Sequence, residues 1–225
     1  ILPSNFSTAL LIFIMSTMII FIAGYKLKHL TVLFLLFIFL ISSFLLAVNK
    51  YPNIIPNRVD TWTNRIENFV NNDIDDTSNY QINRAKAAIA NGKIFGVGAG
   101  KSSMKYVLPQ STSDFIFSII AEEYGIIVSL IILLLYVVLL FRIIITSYRS
   151  ETKFGQLVSV AVGIPVVFQA FTNMAVAVQL IPVTGQPLPL VSTGGTSIWI
   201  TFLAMGILLS VSKNNLKYNT VAIDD

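Results

Sequence analysis

The chain has 225 residues, of which 55% are hydrophobic and only 12% charged, where a soluble domain carries roughly 25% charged residues. So few charges cannot cover a soluble core of this size, and the bilayer is the natural solvent. Cysteine is absent and the net charge is +4, which excludes disulfides and thiolate metal sites and makes the position of the cations more informative than their sum.

From its first residue, Ile1, the chain runs straight into an apolar stretch, without the basic region and small-residue cleavage site of a signal peptide. It reads as the C-terminal part of a longer protein. A membrane helix needs about 20 mostly apolar residues, and lipid tolerates only segments that pair their own backbone polar groups. Five stretches meet or approach this: 7–24, 30–48, 114–146, 156–178 and 194–212. The expected fold class is an all-α polytopic membrane protein, one membrane domain over 1–225 with about five transmembrane helices. Lys26, Lys28 and His29 follow the first span, Arg142, Arg149 and Lys153 the third, and Lys213 and Lys217 the fifth. With five spans these clusters share one side, which the positive-inside rule makes cytoplasmic. The loops 49–113 and 179–193 then face outward, and 213–225 is a cytoplasmic tail. The long loop carries eight Lys or Arg, but long loops cross largely regardless of charge.

A loop of that length usually holds elements of its own. Over Thr61 to Val70, the residues Trp62, Ile66, Phe69 and Val70 share a helical face, and Ile82, Ala85 and Ile89 do so over Tyr80 to Ala90. Both predict short interfacial or re-entrant helices, or helices merely lying on lipid headgroups. The acidic, polar run Asn71 to Asn79 between them reads as a linker. Gly96-Val-Gly-Ala-Gly-Lys101-Ser resembles a phosphate loop, but the first glycine of that pattern is replaced by Phe95, and no parallel-sheet pattern surrounds it. Two readings remain for the glycines from Gly92 to Gly100: a backbone cradle for an anion or a flexible turn.

The third span is too long. Asp114 to Ile145 as a continuous helix would measure about 48 Å, against a hydrocarbon core of about 30 Å. The uninterrupted apolar part, Ile126 to Phe141, ends at Arg142. Glu122 and Glu123 should therefore lie near the outer edge of the hydrocarbon, with Asp114 about 12 Å further out, at headgroup depth. Carboxylates at such depths are functional candidates. Asp114 could alternatively cap the helix from Ser111-Thr-Ser-Asp114, and the glutamates could pair with loop cations. Around this level the outer loop supplies Arg58, Arg65, Arg84, Lys86, Lys93, Lys101 and Lys105, a set suited to an anionic, lipid-linked substrate. Further on, Gln169 and Asn173 are four apart on one helical face, which predicts interhelical hydrogen bonding. Pro182, Pro187 and Pro189 break helix, and Gly194-Gly195 opens the last span, where an outward helix N-terminus would favour pyrophosphate or simply form a rigid turn.

Several separated segments together resemble the SEDS family (shape, elongation, division and sporulation), that is FtsW and RodA. They are Leu108-Pro-Gln-Ser-Thr-Ser-Asp114-Phe-Ile-Phe, Ala121-Glu-Glu-Tyr-Gly125 and Ile181-Pro-Val-Thr-Gly-Gln-Pro-Leu-Pro-Leu-Val-Ser-Thr-Gly-Gly-Thr-Ser197, with Tyr80-Gln81 and the opening Pro3-Ser-Asn-Phe-Ser-Thr-Ala9. The segment Gln186-Pro-Leu-Pro-Leu-Val-Ser192 and the tail look closer to the division member, FtsW, than to the elongation member. The resemblance implies the C-terminal half of a ten-helix protein of the bacterial cytoplasmic membrane that polymerises lipid II into glycan strands beside a class B penicillin-binding transpeptidase. It places the catalytic base at Asp114, which would deprotonate the acceptor sugar 4-hydroxyl as that oxygen displaces undecaprenyl pyrophosphate with inversion. Substrate contacts would come from Arg65, Lys86, Lys93, Lys101, Lys105, Glu122, Glu123, Ser192, Gly194, Gly195 and Ser197. The sequence holds no dedicated metal-ligand set, although a divalent cation (Mg or Mn) bridging Asp114 and pyrophosphate is compatible chemistry. Gln110, Thr112, Ser113, Thr184 and Thr193 depart from the family's usual Glu, His, Thr, basic residue and Tyr. A lipid transporter, which would tolerate Asp114→Asn, and a non-catalytic division scaffold, which Asp114→Ala would leave able to complement, are the alternative readings.

Overall fold

A computed structural model describes residues 5–50, 65, 69 and 77–224. The chain divides into two compact units, Ile1–Ile66 and Glu67–Asp225. In the first, α1 spans Phe6–Ile22 and α2 spans Leu27–Lys50. Asn5 caps α1 by accepting from the Thr8 N–H at 3.2 Å. Gly24, in the left-handed region at φ 87°, ends it, because there the Tyr25 N–H can turn back to the Ile20 carbonyl. The stacked rings of Phe13 and Phe37, 3.7 Å between centroids, join the two helices.

The second unit holds α3 (Thr77–Gly92), a 3-10 turn at Met104–Tyr106, α4 (Ile116–Tyr148), α5 (Lys153–Ala177) and α6 (Gly195–Asp224). The helix expected over 80–90 is thus present as α3. The one expected over 61–70, and the linker 71–76, lie outside the described residues. Helices α2, α4, α5 and the Gly195–Lys213 part of α6 are long and apolar enough to cross a membrane, and α1 is a shorter apolar helix of 17 residues. Their outer faces carry large exposed apolar side chains, such as Phe39, Leu46, Leu130, Trp199 and Leu203. A soluble protein does not expose apolar surface on this scale. The chain is a multi-pass, all-helical membrane protein. The backbone of α6 remains helical to Asp224, beyond the apolar stretch.

The sequence implied one straight third span, and α4 is not straight. Gly125 has φ 81° and ψ −179°, which interrupts the helix. Only Ile126–Tyr148, about 35 Å at helical rise, is left as an unbroken segment. The bend also relocates Asp114. Tyr136 donates its hydroxyl proton to the Pro189 carbonyl. Nearby, the Ser192 hydroxyl accepts from the Leu188 N–H at 2.7 Å and donates to the Ser113 carbonyl at 2.6 Å. This relay holds residues 113 and 136 within roughly 20 Å, where a continuous helix would set them about 35 Å apart. Asp114 is therefore not 12 Å beyond Glu122. The segment Ile116–Tyr124 swings back at Gly125, and Asp114 lies level with Asn173, one turn inside the end of α5.

Candidate functional site

The break at Gly125 releases backbone groups that a helix would have paired. The Glu122 and Glu123 carbonyls lose their usual partners four residues on, and the Ile126 N–H loses its acceptor. The glycine segment replaces all three: Val97 N–H donates to Glu122 O and Gly98 N–H to Glu123 O, both at 2.9 Å, while Ile126 N–H donates to Lys93 O at 3.0 Å. Such close approach needs bare backbone. A Cβ on Gly92 would lie 1.8 Å from Ala121 O, on Gly96 2.2 Å from Glu123 O, and on Gly125 2.2 Å from Ile94 O. Gly92 and Gly96 are thus neither an anion cradle nor a flexible turn; they dock the loop onto the broken helix. The Glu122 carboxylate completes the joint. It is buried and accepts from Ser102, Ser103, Asn91 and the Met104 N–H. Its oxygens are spent on the loop, so its role here is structural, and it pairs with hydroxyls and amides rather than with a loop cation.

Asp114 sits half-buried in the turn that precedes α4. It is not the helix N-cap: that position is Phe115, which makes no side-chain cap bond. Phe115 is instead an anchor, 1% exposed among Ile82 and Ala85 of α3, Ile119, Val176 and Val183, and its burial contributes about 2 kcal/mol. The three carbonyls leading into α4 are each held from outside the segment. Thr193 donates to Thr112 O through both its N–H and its hydroxyl, at 3.1 Å each. Ser192 donates to Ser113 O at 2.6 Å. Asn173 donates to Asp114 O at 2.6 Å and to Gln186 O at 2.8 Å. Gln169 binds Pro187 O at 3.0 Å. Both α5 amides hydrogen-bond outside their own helix, but to backbone carbonyls of the segments before α4 and after α5 rather than to another helix. Gln169 lies about 12 Å inside the end of α5, so the loop after α5 dips into the bundle rather than capping it. Its Gly185, at φ 67°, faces the carboxylate, and a Cβ there would begin 3.6 Å from Asp114 Oδ2.

Three buried polar atoms on the elements around Asp114 have no hydrogen-bond partner among the described residues: Ser118 Oγ, Asn173 Oδ1 and Thr184 Oγ1. Ser118 is one helical turn beyond Asp114, Asn173 holds its carbonyl, and Thr184 precedes Gly185. Buried polar atoms are normally paired, so these three mark polar groups that the described residues leave unsatisfied in the elements next to Asp114.

The remaining expected contacts are spread more widely. Lys86, Lys93, Lys101 and Lys105 are exposed on α3 and the following loop. Arg65 is half-buried in helical backbone, and Arg84 lies over the Tyr80 ring at 5.0 Å. Glu123 is half-buried and contributes its carbonyl to Gly98. Ser192 is buried, with its hydroxyl engaged by backbone in both directions, so it positions Asp114 rather than facing a ligand. Gly194 precedes α6, exposed Gly195 opens it, and half-buried Ser197 lies in its first turn. Among the described residues no three His, Asp or Glu side chains converge on a metal position. A divalent cation at this site would take Asp114 as its protein ligand and the rest of its shell from phosphate and water, as Mg commonly does.

A family model described as a cell cycle protein, covering FtsW, RodA and SpoVE, matches residues 1–217. The chain belongs to this family. Among FtsW/RodA/SpoVE relatives, it is 36% identical over 180 residues to the probable peptidoglycan glycosyltransferase FtsW of Enterococcus hirae, covering 79% of this chain and 45% of that one. It is 36% identical over 199 residues to stage V sporulation protein E of Bacillus subtilis strain 168, covering 86% and 50%. The chain spans about half the length of the curated relatives it matches. Its fold resembles a chain in a solved peptidoglycan synthase complex that coordinates polymerization and crosslinking, with TM-score 0.66 and 24% identity, covering 94% of this chain and 56% of that one.

Proposed function

We propose that this chain forms the acceptor-activating half of a membrane glycosyltransferase that polymerises lipid II during cell division, with Asp114 as general base. The observation that carries the reading is the setting of Asp114: the carbonyls of Thr112, Ser113 and Asp114 are each held from outside the segment, and its Oδ2 faces Gly185, where a Cβ would begin 3.6 Å away. A base needs a fixed position within hydrogen-bond reach of the proton it takes. The names of the FtsW relatives support the reaction class.

In the step proposed, the acceptor 4-hydroxyl oxygen forms the new bond to the donor anomeric carbon. The bond from that carbon to the pyrophosphate oxygen breaks with its electron pair, and the hydroxyl proton passes to the Asp114 carboxylate. Pyrophosphate is a good leaving group, so one base suffices and the anomeric centre inverts. The exposed lysines of the outer loop and the N-terminus of α6 at Gly195 are the groups proposed to hold the donor's phosphates. A class B penicillin-binding transpeptidase partner and residence in the bacterial cytoplasmic membrane belong to the same proposal.

The test is lipid II polymerisation in detergent by full-length protein. Asp114→Asn keeps size and polarity but removes the basic oxygen, and general-base removal lowers rate by about 10²–10⁴. The variant should elute and melt like the wild type while making no glycan strands. Normal polymerisation by Asp114→Asn overturns the assignment and leaves a transporter or scaffold.

A further inference from the structure

At the end of the second unit opposite Asp114, α4 and α6 part to leave a cleft of about 470 Å³. Arg142, Thr146 and Arg149 line one wall, and Met205, Leu208 and Leu209 line the other. Arg142, Thr146 and Arg149 fall at successive turns of one helix face. Both guanidinium groups belong to exposed residues. Lys213, also exposed, follows directly at the end of the apolar part of α6. Apart from Ser212, the wall opposite the cations is apolar, and it continues onto exposed surface, with Leu209 70% exposed.

We propose that this cleft is a binding site for an anionic phospholipid of the cytoplasmic leaflet, with the headgroup phosphate held by Arg142 and Arg149 and an acyl chain along Met205 and Leu209. Charge orientation places these arginines on the cytoplasmic side. A positive-inside bias alone needs only cations near the interface; it does not need two arginines on one face across a cleft from an apolar wall. Arg forks bind phosphate oxygens in pairs, and basic pockets between membrane helices on this side take anionic headgroups. Free phosphate would leave the apolar wall unexplained, because only a ligand with a charged head and an apolar tail matches both walls. The proposal is independent of the role given to Asp114.

Native mass spectrometry of full-length protein tests it, after delipidation and re-addition of dioleoyl phosphatidylglycerol or dioleoyl phosphatidylethanolamine. Wild type should retain phosphatidylglycerol at least fivefold over phosphatidylethanolamine. Arg142→Gln/Arg149→Gln should lose that preference, whereas Lys26→Gln/Lys28→Gln, which removes the same charge elsewhere, should keep it. Met205→Trp fills the cleft without changing charge and should also lose the bound lipid, which keeps the test decisive if the double arginine variant does not fold. Equal loss in both charge variants would reduce the effect to bulk electrostatics and overturn the site. Absence of retained phosphatidylglycerol in wild type would overturn it as well, assigning the cleft to protein outside this chain.

Discussion

Asn173 offers the sharpest check on how Asp114 is placed. Its side-chain amide is buried and donates to two backbone carbonyls, Asp114 O at 2.6 Å and Gln186 O at 2.8 Å. Asn173→Leu keeps the volume and removes both donors. A buried acceptor left without a partner costs about 1–3 kcal/mol. Leu also removes Asn173 Oδ1, itself buried without a partner among the described residues, which offsets about one of the two losses. The net destabilisation should be about 2 kcal/mol, measured by denaturation in mixed detergent micelles. Hydrogen bonds between membrane helices average only about 0.6 kcal/mol, so a loss near 1 kcal/mol would mean that the freed carbonyls find other donors. Activity separates positioning from bulk stability. A misplacement of about 1 Å can cost about 100-fold in rate, so kcat for lipid II polymerisation should fall at least tenfold with a smaller change in KM. Gln169→Leu removes one bond, to Pro187 O, and should cost about half as much stability with a milder loss of rate. An Asn173→Leu protein that is destabilised yet polymerises at the wild-type rate refutes the claim that this bond places Asp114.

Two further substitutions test the joint between loop and broken helix. Gly125→Ala puts a side chain at φ 81° and 2.2 Å from Ile94 O, and should destabilise by about 3 kcal/mol or more. Gly206→Ala in α6 meets nothing within 4 Å and should be neutral or stabilising by up to about 1 kcal/mol; thermal unfolding of the two variants side by side checks the contrast. Glu122→Gln turns one acceptor oxygen into a donor facing Ser102, Ser103, Asn91 and Met104 N–H. It should cost about 2 kcal/mol and speed amide hydrogen exchange over 100–106. Unchanged exchange there would show that the carboxylate does not hold the loop.

The spans were legible because bilayer thickness imposes a length on apolar runs, and α3 was legible because Ile82, Ala85 and Ile89 repeat at helical spacing. Asp114 stood out as a carboxylate in an apolar setting. What the sequence hid was the partner of each polar group. Asn173 and Gln169 announced a shared face, but a side-chain amide can bind any of the chain's carbonyls, and nothing in residue type points to Asp114 O or Pro187 O. The bend at Gly125 was hidden for a related reason. A lone glycine in an apolar helix is usually tolerated, and it becomes a break only because Val97, Gly98 and Lys93 arrive to satisfy what it exposes. The excess length of the third span was the available signal, and the uninterrupted apolar run did begin at Ile126.

Backbone strain on either side of the site explains why so many bonds converge there. Gln110, at φ 56°, starts the turn to Asp114, and Leu190, at φ 67°, starts the turn to Ser192. A non-glycine residue in that region costs about 1 kcal/mol or more. Both turns are held closed by their own hydrogen bonds: Gln110 O accepts from the N–H groups of Ser113, Asp114 and Phe115, and Leu188 O accepts from those of Val191 and Ser192. The two strained turns then meet face to face through Ser192 to Ser113 O and Thr193 to Thr112 O. Each turn is therefore a condition of the other, since relaxing Leu190 would withdraw Ser192 from Ser113 and loosen the segment carrying Asp114. None of these bonds uses the Asp114 carboxylate. The backbone is fixed by α5 and the loop that follows it, and the side chain is set against Gly185.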